Sequence, residues 1–388
     1  MGVQRCQSQD PGGRGVGMNR IDVQSAKRIV IKVGSSTLTG SAGSGLNSEA
    51  VDSLVDIVAT LRAAGKEVVL VSSGAIAAGL APLGLTVRPK DLASQQAAAS
   101  VGQGRLIADY NRSFSRHELL SSQVLLTIDD VVRRSHYQNA QRTLLKLLQL
   151  DVTPIINEND SVGVQEIRFG DNDRLAALVA HLVNADLLVL VTDIDGLYDA
   201  PPSHAHAKRI SEVKDVSVIG DIEIGGVGSS GVGTGGMVTK IEAARIATGA
   251  GVAMLLTTLA DLPDALTGAD KGTIFHAIHD KRPSRLLWLA HAATPHGRLI
   301  LDHGATIAIK ERGVSLLPAG VTGVEGEFLS GDTVELVSDK GVVIARGLVA
   351  FDSTEIPRML GRSTKELAAE LGAEYERELV HRDDLVLI

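Results

Sequence analysis

Short apolar strands alternate with amphipathic helices through the first two thirds of this chain, and most of the strands end in small or polar residues. The segment 28–33 leads into Gly34-Ser35-Ser36. The segment 67–71 leads into Ser72-Ser73-Gly74. Such alternation is typical of a mostly parallel sheet covered on both faces. The predicted fold class is therefore α/β, a mostly parallel sheet sandwiched by helices. Further strands are predicted at 152–156, 186–191 and 252–257.

The helices are indicated by apolar residues at helical spacing. The segment 47–64 is the clearest, because its apolar residues fall on one face, with Asn47 or Ser48 as the N-cap and Gly65 at the end. That face consists of Val51, Leu54, Val55, Val58 and Leu61. Further helices are predicted at 91–109, 137–150 and 175–183, and the run Gly233–Lys240 is predicted to open a helix that continues through Thr248.

Two polar clusters follow the strand at 152–156. The first is Asn157-Glu158-Asn159-Asp160, and the second, ten residues later, is Gly170-Asp171-Asn172-Asp173 at the start of a helix. Open α/β sheets bind ligands where strands end and helices begin. Amides and carboxylates there can hold the ammonium of an amino acid and orient cationic groups or a metal. Asn and Asp are also ordinary turn residues, so two turns with a helix cap are the alternative. The two clusters together favour a site.

Two lysines occupy positions that suit an anion. Lys32 ends a buried strand, where an uncompensated charge costs several kcal/mol, so it is predicted to face an anion; the alternative is a side chain that reaches solvent. Lys240 lies one turn into a helix that follows Gly233–Thr239. Bare backbone amides at a helix start can hold a phosphate chain; the alternative is a flexible loop with a surface lysine. Glycine patterns between 226 and 236 do not directly follow a strand, so they are discounted as dinucleotide fingerprints.

The chain changes character after residue 296. Short β-like runs separated by turns occupy 299–301, 306–309, 333–337 and 342–345, which predicts a separate small β-rich domain. The predicted organisation is a disordered N-terminal tail at 1–26, a large domain at 27–277, a linker at 278–295, the small domain at 296–375 and a C-terminal tail at 376–388.

Composition excludes several classes of protein. The formal charge of −8 and the absence of a long basic run give no support to nucleic-acid binding. Cys6 is the single cysteine, so no intrachain disulfide forms, and a reducing cytoplasm is expected. No apolar run reaches the roughly 18 residues of a membrane-spanning helix. Residues 1–20 lack the apolar segment of a secretory signal. His204 and His206 are interpreted as part of a solvated loop rather than as metal ligands.

Taken in order, these motifs resemble those of the bacterial glutamate 5-kinase group of the amino-acid kinase family. The resemblance covers roughly residues 27–388. It rests on 31–36, 72–79, 157–160, 170–173, 192–193 with 196–198, and 233–240, and the segments 304–306 and 315–320 resemble a C-terminal PUA domain.

The resemblance implies ATP-dependent phosphorylation of the γ-carboxylate of L-glutamate, the first step of proline biosynthesis, in a cytoplasmic homo-oligomer. ATP and Mg²⁺ are the implied cofactors, with Mg²⁺ held through the ATP phosphates and no direct metal ligand. The family also implies feedback inhibition by proline, to which the loop Ser161–Phe169 is expected to contribute.

Site residues are carried over by motif position. The substrate-binding residues implied are Ser73, Gly74, Asn157, Asp160 and Asn172. The nucleotide-binding residues implied are Lys32, Thr192, Asp193, Thr234, Gly235, Gly236, Met237, Val238, Thr239 and Lys240. Lys32 is assigned to the transferring phosphoryl group and Lys240 to the leaving phosphates. Asp173 is assigned the orientation of both lysines, and Asp171 a supporting role there or near the metal.

Other readings remain open from the sequence. Acetylglutamate, aspartate, carbamate and nucleoside monophosphate kinases would share the logic of two lysines within the same fold. An RNA-binding protein is the alternative of a different class, because PUA domains elsewhere bind RNA. Residues 297–374 carry 12 acidic and 8 basic side chains, which is a poor match to a phosphate backbone.

Overall fold

The computed structural model describes residues 22–39, 45–127, 130–131, 134–162, 172–204, 206–216, 219, 236–277 and 295–388. Within these residues the strands form an eight-stranded sheet, a five-stranded sheet and a two-stranded sheet. The eight-stranded sheet belongs to the first 275 residues and the five-stranded sheet to the residues from 297 onward. The predicted change of architecture near residue 296 is therefore present.

The large sheet contains six parallel strands and two further strands at one edge. The chain passes from β1 (Arg28–Val33) outward to β2 (Glu67–Ser72). It later returns on the other side of β1 with β5 (Leu187–Thr192), so the strand order reverses beside β1. Open α/β sheets bind ligands at such a reversal. The order is β3 (Ser121–Leu126), β4 (Thr153–Glu158), β2 (Glu67–Ser72), β1 (Arg28–Val33), β5 (Leu187–Thr192), β9 (Ala253–Thr258), β10 (Thr273–Phe275) and β8 (Glu212–Val213).

Strands β10 and β9 are antiparallel, whereas β8 and β10 are parallel. The separate two-stranded sheet pairs β6 (Leu197–Tyr198) with β7 (Arg209–Ile210). This sheet falls in the region 199–233 that the sequence shows as less regular, most of whose second half lies outside the described residues.

The predicted helices are present with shifted ends. The second predicted helix runs to residue 115 instead of 109, and the third begins at 134 instead of 137. The described helices are α1 (Ser35–Leu38), α2 (Ser48–Ala63), α3 (Ala75–Leu80), α4 (Leu92–Ser115), α5 (Arg134–Gln149), α6 (Asn172–Leu182), α7 (Met237–Gly249), α8 (Leu262–Leu266), α9 (His303–Arg312) and α10 (Thr364–Leu371).

Helix α2 follows the sequence pattern closely. The side chain of Asn47 accepts hydrogen bonds from the amides of Glu49 and Ala50, so Asn47 is the N-cap. All five residues of the predicted apolar face are buried. The cap and the apolar face therefore set both the start and the orientation of this helix.

Two apolar cores lie on opposite faces of the large sheet. Ile29 and Ile31 of β1 belong to the core that includes α2 and α4. Val30, between them, belongs to the core that includes α6 and α7. Successive side chains of a strand point to opposite faces, so both faces are covered by helices. The predicted fold class is confirmed.

Pro154 lies within β4, although a proline argues against a central strand. It stands opposite Ser122 of β3, and the pairing of β4 with β2 begins only at Ile155. The proline therefore precedes the part of β4 that is paired with β2.

The five-stranded sheet has the order β12 (Val321–Gly326), β11 (Gly297–Leu301), β13 (Thr333–Val337), β14 (Val343–Leu348) and β15 (Leu385–Leu387). The expectation of a β-like run at 306–309 is wrong, because these residues lie in α9. Asp302 caps this helix by accepting a hydrogen bond from the Ala305 amide, 2.6 Å away. Ile309 is buried while Ile307 is exposed, so burial and the cap outweigh the β-branched composition.

The ends of the ordered regions differ from the prediction. Val23 and Ala26, assigned to the disordered tail, are buried in the core on the α2 side of the large sheet. Residues 385–387, assigned to the C-terminal tail, form β15 and pair with β14. Apolar side chains that reach a core offset part of the conformational entropy lost when such segments become ordered. The predicted domain boundaries otherwise stay a prediction.

Candidate active site

Three charged side chains meet beside β1. The Asp173 carboxylate lies between two ammonium groups, with Oδ1 2.5 Å from Lys32 Nζ and Oδ2 3.2 Å from Lys240 Nζ. All three residues are buried, and Asp173 is fully so. Two ammonium groups and one carboxylate give these three buried side chains a formal net positive charge. We call Lys32, Asp173 and Lys240 the charged triad.

The alternation of β1 brings the triad together. Lys32 is two residues from Val30, so it points to the same face of the sheet, which is covered by α6 and α7. Asp173 is the second residue of α6, and Lys240 is one turn into α7. Thr239 Oγ1 lies 3.2 Å from Asp173 Oδ2, which adds a further contact between the two helices.

Two side-chain amides, those of Asn157 and Asn172, adjoin the charged triad, and we call them the amide cluster. Asn172, the first residue of α6, places its Nδ2 2.9 Å from Asn157 Oδ1, 2.8 Å from Ser73 Oγ and 3.1 Å from the Ser72 carbonyl. Asn157 and Asn172 are both buried. Two predicted substrate-binding residues, Ser73 and Asn157, therefore both contact a third, Asn172, although Ser73 and Asn172 are 99 positions apart.

The orientation of the Asn172 side-chain amide leaves its oxygen, Oδ1, as a hydrogen-bond acceptor without a donor among the described residues. Because a carbonyl can only accept, its bond to the Ser72 carbonyl identifies the nitrogen as Nδ2. Asn172 Oδ1 is then buried with no hydrogen-bond partner among the described residues. A buried acceptor without a donor costs about 1–3 kcal/mol. A ligand that brings an N–H donor would remove this cost.

The other predicted substrate residues also follow the carboxyl ends of parallel strands, Gly74 after β2 and Asp160 after β4. Gly74 has a φ of 107°, a conformation that favours glycine, and it directly precedes α3. Asp160 lies in the turn after β4 and is half-buried. Ser161 Oγ in the same turn is 2.8 Å from Ser100 Oγ of α4, so the turn that carries Asp160 is attached to the helix packed beneath it.

The predicted nucleotide residues are only partly described. Thr192 is buried at the end of β5, and its hydroxyl lies 3.0 Å from Oδ1 of the exposed Asp193. Gly236 precedes α7, and Met237 and Val238 form its first turn. Asp171, Thr234, Gly235 and most of the loop predicted to bind proline, 163–169, lie outside the described residues.

Helix α4 contributes residues that were not predicted from the sequence. Gln103 Oε1 accepts a hydrogen bond from Asn157 Nδ2, 2.8 Å away. Tyr110 Oη lies 2.9 Å from Ser72 Oγ, and burial raises the pKa of this phenol, so it is a neutral hydrogen-bonding group. No local sequence signal marks either residue. Their positions follow from the faces of β2 and β4 that α4 covers.

The described residues offer no group of three or more potential metal ligands. The Asp173 carboxylate already faces two ammonium groups. None of the described helices is long and apolar enough to cross a membrane.

The sequence model of the amino acid kinase family matches residues 27–257, which include every described residue of the charged triad and the amide cluster. The chain belongs to the amino acid kinase family. A PUA domain model matches residues 297–371 in the region of the five-stranded sheet. Both parts of the resemblance noted in the sequence, the amino acid kinase family and the PUA domain, are confirmed.

Members of the amino acid kinase family that resemble this chain include three proteins named glutamate 5-kinase. The protein of Streptomyces coelicolor is 61% identical over 366 residues, 94% of this chain and 98% of its own length. That of Streptomyces avermitilis is 61% identical over 370 residues, 95% of this chain and 98% of its own. That of Thermobifida fusca is 56% identical over 377 residues, 97% of each chain.

Proposed function

We propose that this chain transfers the terminal phosphoryl group of ATP to the γ-carboxylate of L-glutamate, giving L-glutamyl 5-phosphate and ADP. The observation that carries the proposal is the charged triad, in which two buried ammonium groups are held by one carboxylate at the end of β1. The likeness to proteins named glutamate 5-kinase, over nearly the whole chain, supports glutamate as the substrate.

The reaction joins two anions, so charge neutralisation is the main task of the site. A γ-carboxylate oxygen attacks the terminal phosphorus, the bond from that phosphorus to the bridging oxygen breaks, and ADP leaves with the electron pair. The carboxylate is already ionised at neutral pH, so no general base is needed. Lys32 would face the transferring phosphoryl group and Lys240 the leaving phosphates.

Asp173 would position both lysines instead of reacting. An ammonium group on a flexible four-carbon chain needs a fixed partner to hold one direction. The two carboxylate oxygens of Asp173 each face one lysine, so both ammonium groups are directed to one region. A positioned charge in a site that excludes water stabilises a transition state more strongly than a mobile charge in solvent.

The amide cluster would bind the amino-acid end of glutamate. Asn172 Oδ1 is a buried acceptor, and an ammonium supplies donors. The half-buried Asp160 would add a negative charge opposite that ammonium, and Ser73 and Gly74 would line the substrate near the start of α3. Glutamate would then lie beside Asn172 and the phosphoryl donor beside Asp173. Because these two residues are neighbours in the chain, the two reactants would be brought together.

The nucleotide would occupy the region around the end of β5 and the start of α7. Thr192, Asp193 and the run from Thr234 to Lys240 are the residues proposed to contact it. Mg²⁺ would enter bound to the nucleotide's phosphate oxygens, where it would neutralise charge. Asp171 is proposed to support the lysines or the metal.

The proposal also covers the pathway, the inhibition by proline and the assembly of the enzyme. The product is an activated acyl phosphate, suited to the first step of proline biosynthesis in the cytoplasm, and proline would inhibit the enzyme through the loop near the glutamate site. A homo-oligomer is proposed as the assembled form. A proline titration at fixed glutamate tests the inhibition, and unchanged turnover at millimolar proline would exclude it.

The experiment that tests the reaction traps the product. Purified protein is mixed with Mg-ATP, L-glutamate and hydroxylamine, which converts an acyl phosphate into a hydroxamate; aspartate and N-acetylglutamate are assayed in parallel. A hydroxamate signal that requires glutamate and ATP supports the proposal. A signal only with another acid would keep the phosphoryl-transfer chemistry and contradict the substrate. Absence of a signal with all three acids would contradict carboxylate phosphorylation.

A further inference from the structure

Gln103 lies outside every motif that the proposed function uses, yet it contacts the amide cluster. It is half-buried on α4, and its Oε1 accepts from Asn157 Nδ2 at 2.8 Å. Asn157 Oδ1 in turn accepts from Asn172 Nδ2 at 2.9 Å. The three side chains form a continuous row of amides from α4 to the start of α6.

The direction of these hydrogen bonds is determined by backbone groups. The Glu158 amide donates to Asn157 Oδ1 at 2.9 Å, and a backbone N–H is always a donor. The Ser72 carbonyl accepts from Asn172 Nδ2. Asn157 therefore presents its NH₂ to α4, where Gln103 Oε1 accepts from it. At the other end of the row, Asn172 Oδ1 remains as the acceptor.

We propose that Gln103 is a positioning residue for the substrate's amino group. This inference rests on the proposed function. By accepting from Asn157, Gln103 holds the Asn157 amide in the orientation that receives the Asn172 NH₂, so that Asn172 Oδ1 faces the substrate ammonium. Gln103 acts through two other side chains and does not touch the reacting atoms.

Helix α4 is well placed to hold Gln103 still. Gly102, its neighbour, packs directly on α3: a Cβ atom added there would lie 1.8 Å from the Ala75 carbonyl oxygen. Ser100 is joined to the turn of Asp160 through Ser161. Tyr110 reaches Ser72 from the same helix. A side chain on such a packed element loses little further freedom when it makes one more hydrogen bond.

The test compares two substitutions at position 103 in the full-length protein. Gln103→Met keeps the length of the side chain and removes the acceptor, whereas Gln103→Glu retains an acceptor oxygen. With the hydroxamate assay, Q103M is expected to raise the KM for glutamate about tenfold, roughly the effect of one misplaced hydrogen bond. The KM for ATP and kcat should change little, whereas Tm should fall modestly because the buried Asn157 NH₂ loses its acceptor. Q103E should restore the glutamate KM to within about threefold of the wild type.

A matched control and a double variant separate the possible roles. Gln149 is exposed at the end of α5, so Q149M should behave as the wild type. If Gln103 acts through the row of amides, adding Q103M to Asn172→Ala should raise the glutamate KM no further.

Four results would overturn the inference. The first is an unchanged glutamate KM in Q103M. The second is an equal rise of the KM for glutamate and the KM for ATP, the pattern of a purely structural role. Failure of Q103E to rescue and additivity with N172A would count equally against it. If the wild type itself shows no glutamate-dependent signal, the proposed function fails first and this inference falls with it.

Discussion

At the scale of single residues, the charged triad combines a stability requirement with a proposed catalytic one. Asp173 is fully buried between Lys32 and Lys240. Breaking a buried ion pair by removing one partner typically costs about 3–5 kcal/mol, because a charge is left without compensation. The triad has one ammonium more than it has carboxylates, so the loss of one lysine leaves a neutral pair.

Replacement of Lys240 by methionine is therefore expected to spare the fold and abolish most of the activity. Lys32 still compensates Asp173 in this variant, so Tm should change little. The site loses one of its two ammonium groups, and kcat should fall by about 10²–10³-fold. Steady-state hydroxamate assays with a thermal melt measure both quantities. Lys146→Met, at an exposed position of α5, is the control; a K240M kcat within tenfold of wild type would contradict the assigned role.

Replacement of Asp160 by alanine addresses the substrate's ammonium. A hydrogen bond to a charged group contributes about 1.5–3 kcal/mol, so the KM for glutamate should rise by about 10–100-fold. The KM for ATP should stay close to that of the wild type. Asp339→Ala, in an exposed turn of the small domain, controls for loss of a carboxylate. An unchanged glutamate KM in D160A would remove Asp160 from the substrate site.

At the scale of secondary-structure elements, α4 organises the substrate side of the site. Its contact with α3 has almost no space for side chains: a Cβ at Gly79 would lie 1.9 Å from the Ala98 carbonyl oxygen. Helix α3 begins immediately after Ser73 and Gly74. The distance between the two helices therefore sets where these substrate-binding residues lie relative to Asn157.

Two alanine substitutions in α4 test this dependence. Gly102→Ala forces the helices apart and should destabilise the protein by roughly 1–3 kcal/mol, as overpacking does, while raising the KM for glutamate. Gly104→Ala, two residues later, meets nothing within 4 Å and should stabilise it by about 0.5–1 kcal/mol. Urea unfolding measures the free energy of unfolding of both variants, and steady-state kinetics measure their KM for glutamate. Equal stability of G102A and G104A would show that the helices are not in close contact.

At the scale of the whole molecule, the last strand connects the two sheets. Strand β15 pairs with β14 of the small sheet, while Val386 within it is buried in the core on the α6 side of the large sheet. Leu348 of β14 packs against the same core. The two domains are thus expected to unfold together.

Val386→Ala should lower the free energy of unfolding by about 2 kcal/mol, the transfer and cavity cost of the lost methyl groups. Leu387→Ala, at a position that is 43% exposed, should change it by less than about 0.5 kcal/mol. Calorimetry of V386A would show whether one cooperative transition splits into two. Equal melting of V386A and L387A would place Val386 outside the shared core.

Much of this molecule follows from local sequence alone. Strand periodicity, the Asn47 cap and the polar residues at strand ends predict the parallel sheet and the edge at which Lys32, Asn157 and Asn172 lie, because these signals act over a few neighbouring residues. Local sequence does not reveal that Gln103 meets Asn157 or that 306–309 is helical, and the contact of Asp173 with two lysines is expected only from the family resemblance. Those outcomes depend on which face of a strand each helix covers and on burial between distant segments, which only the tertiary structure decides.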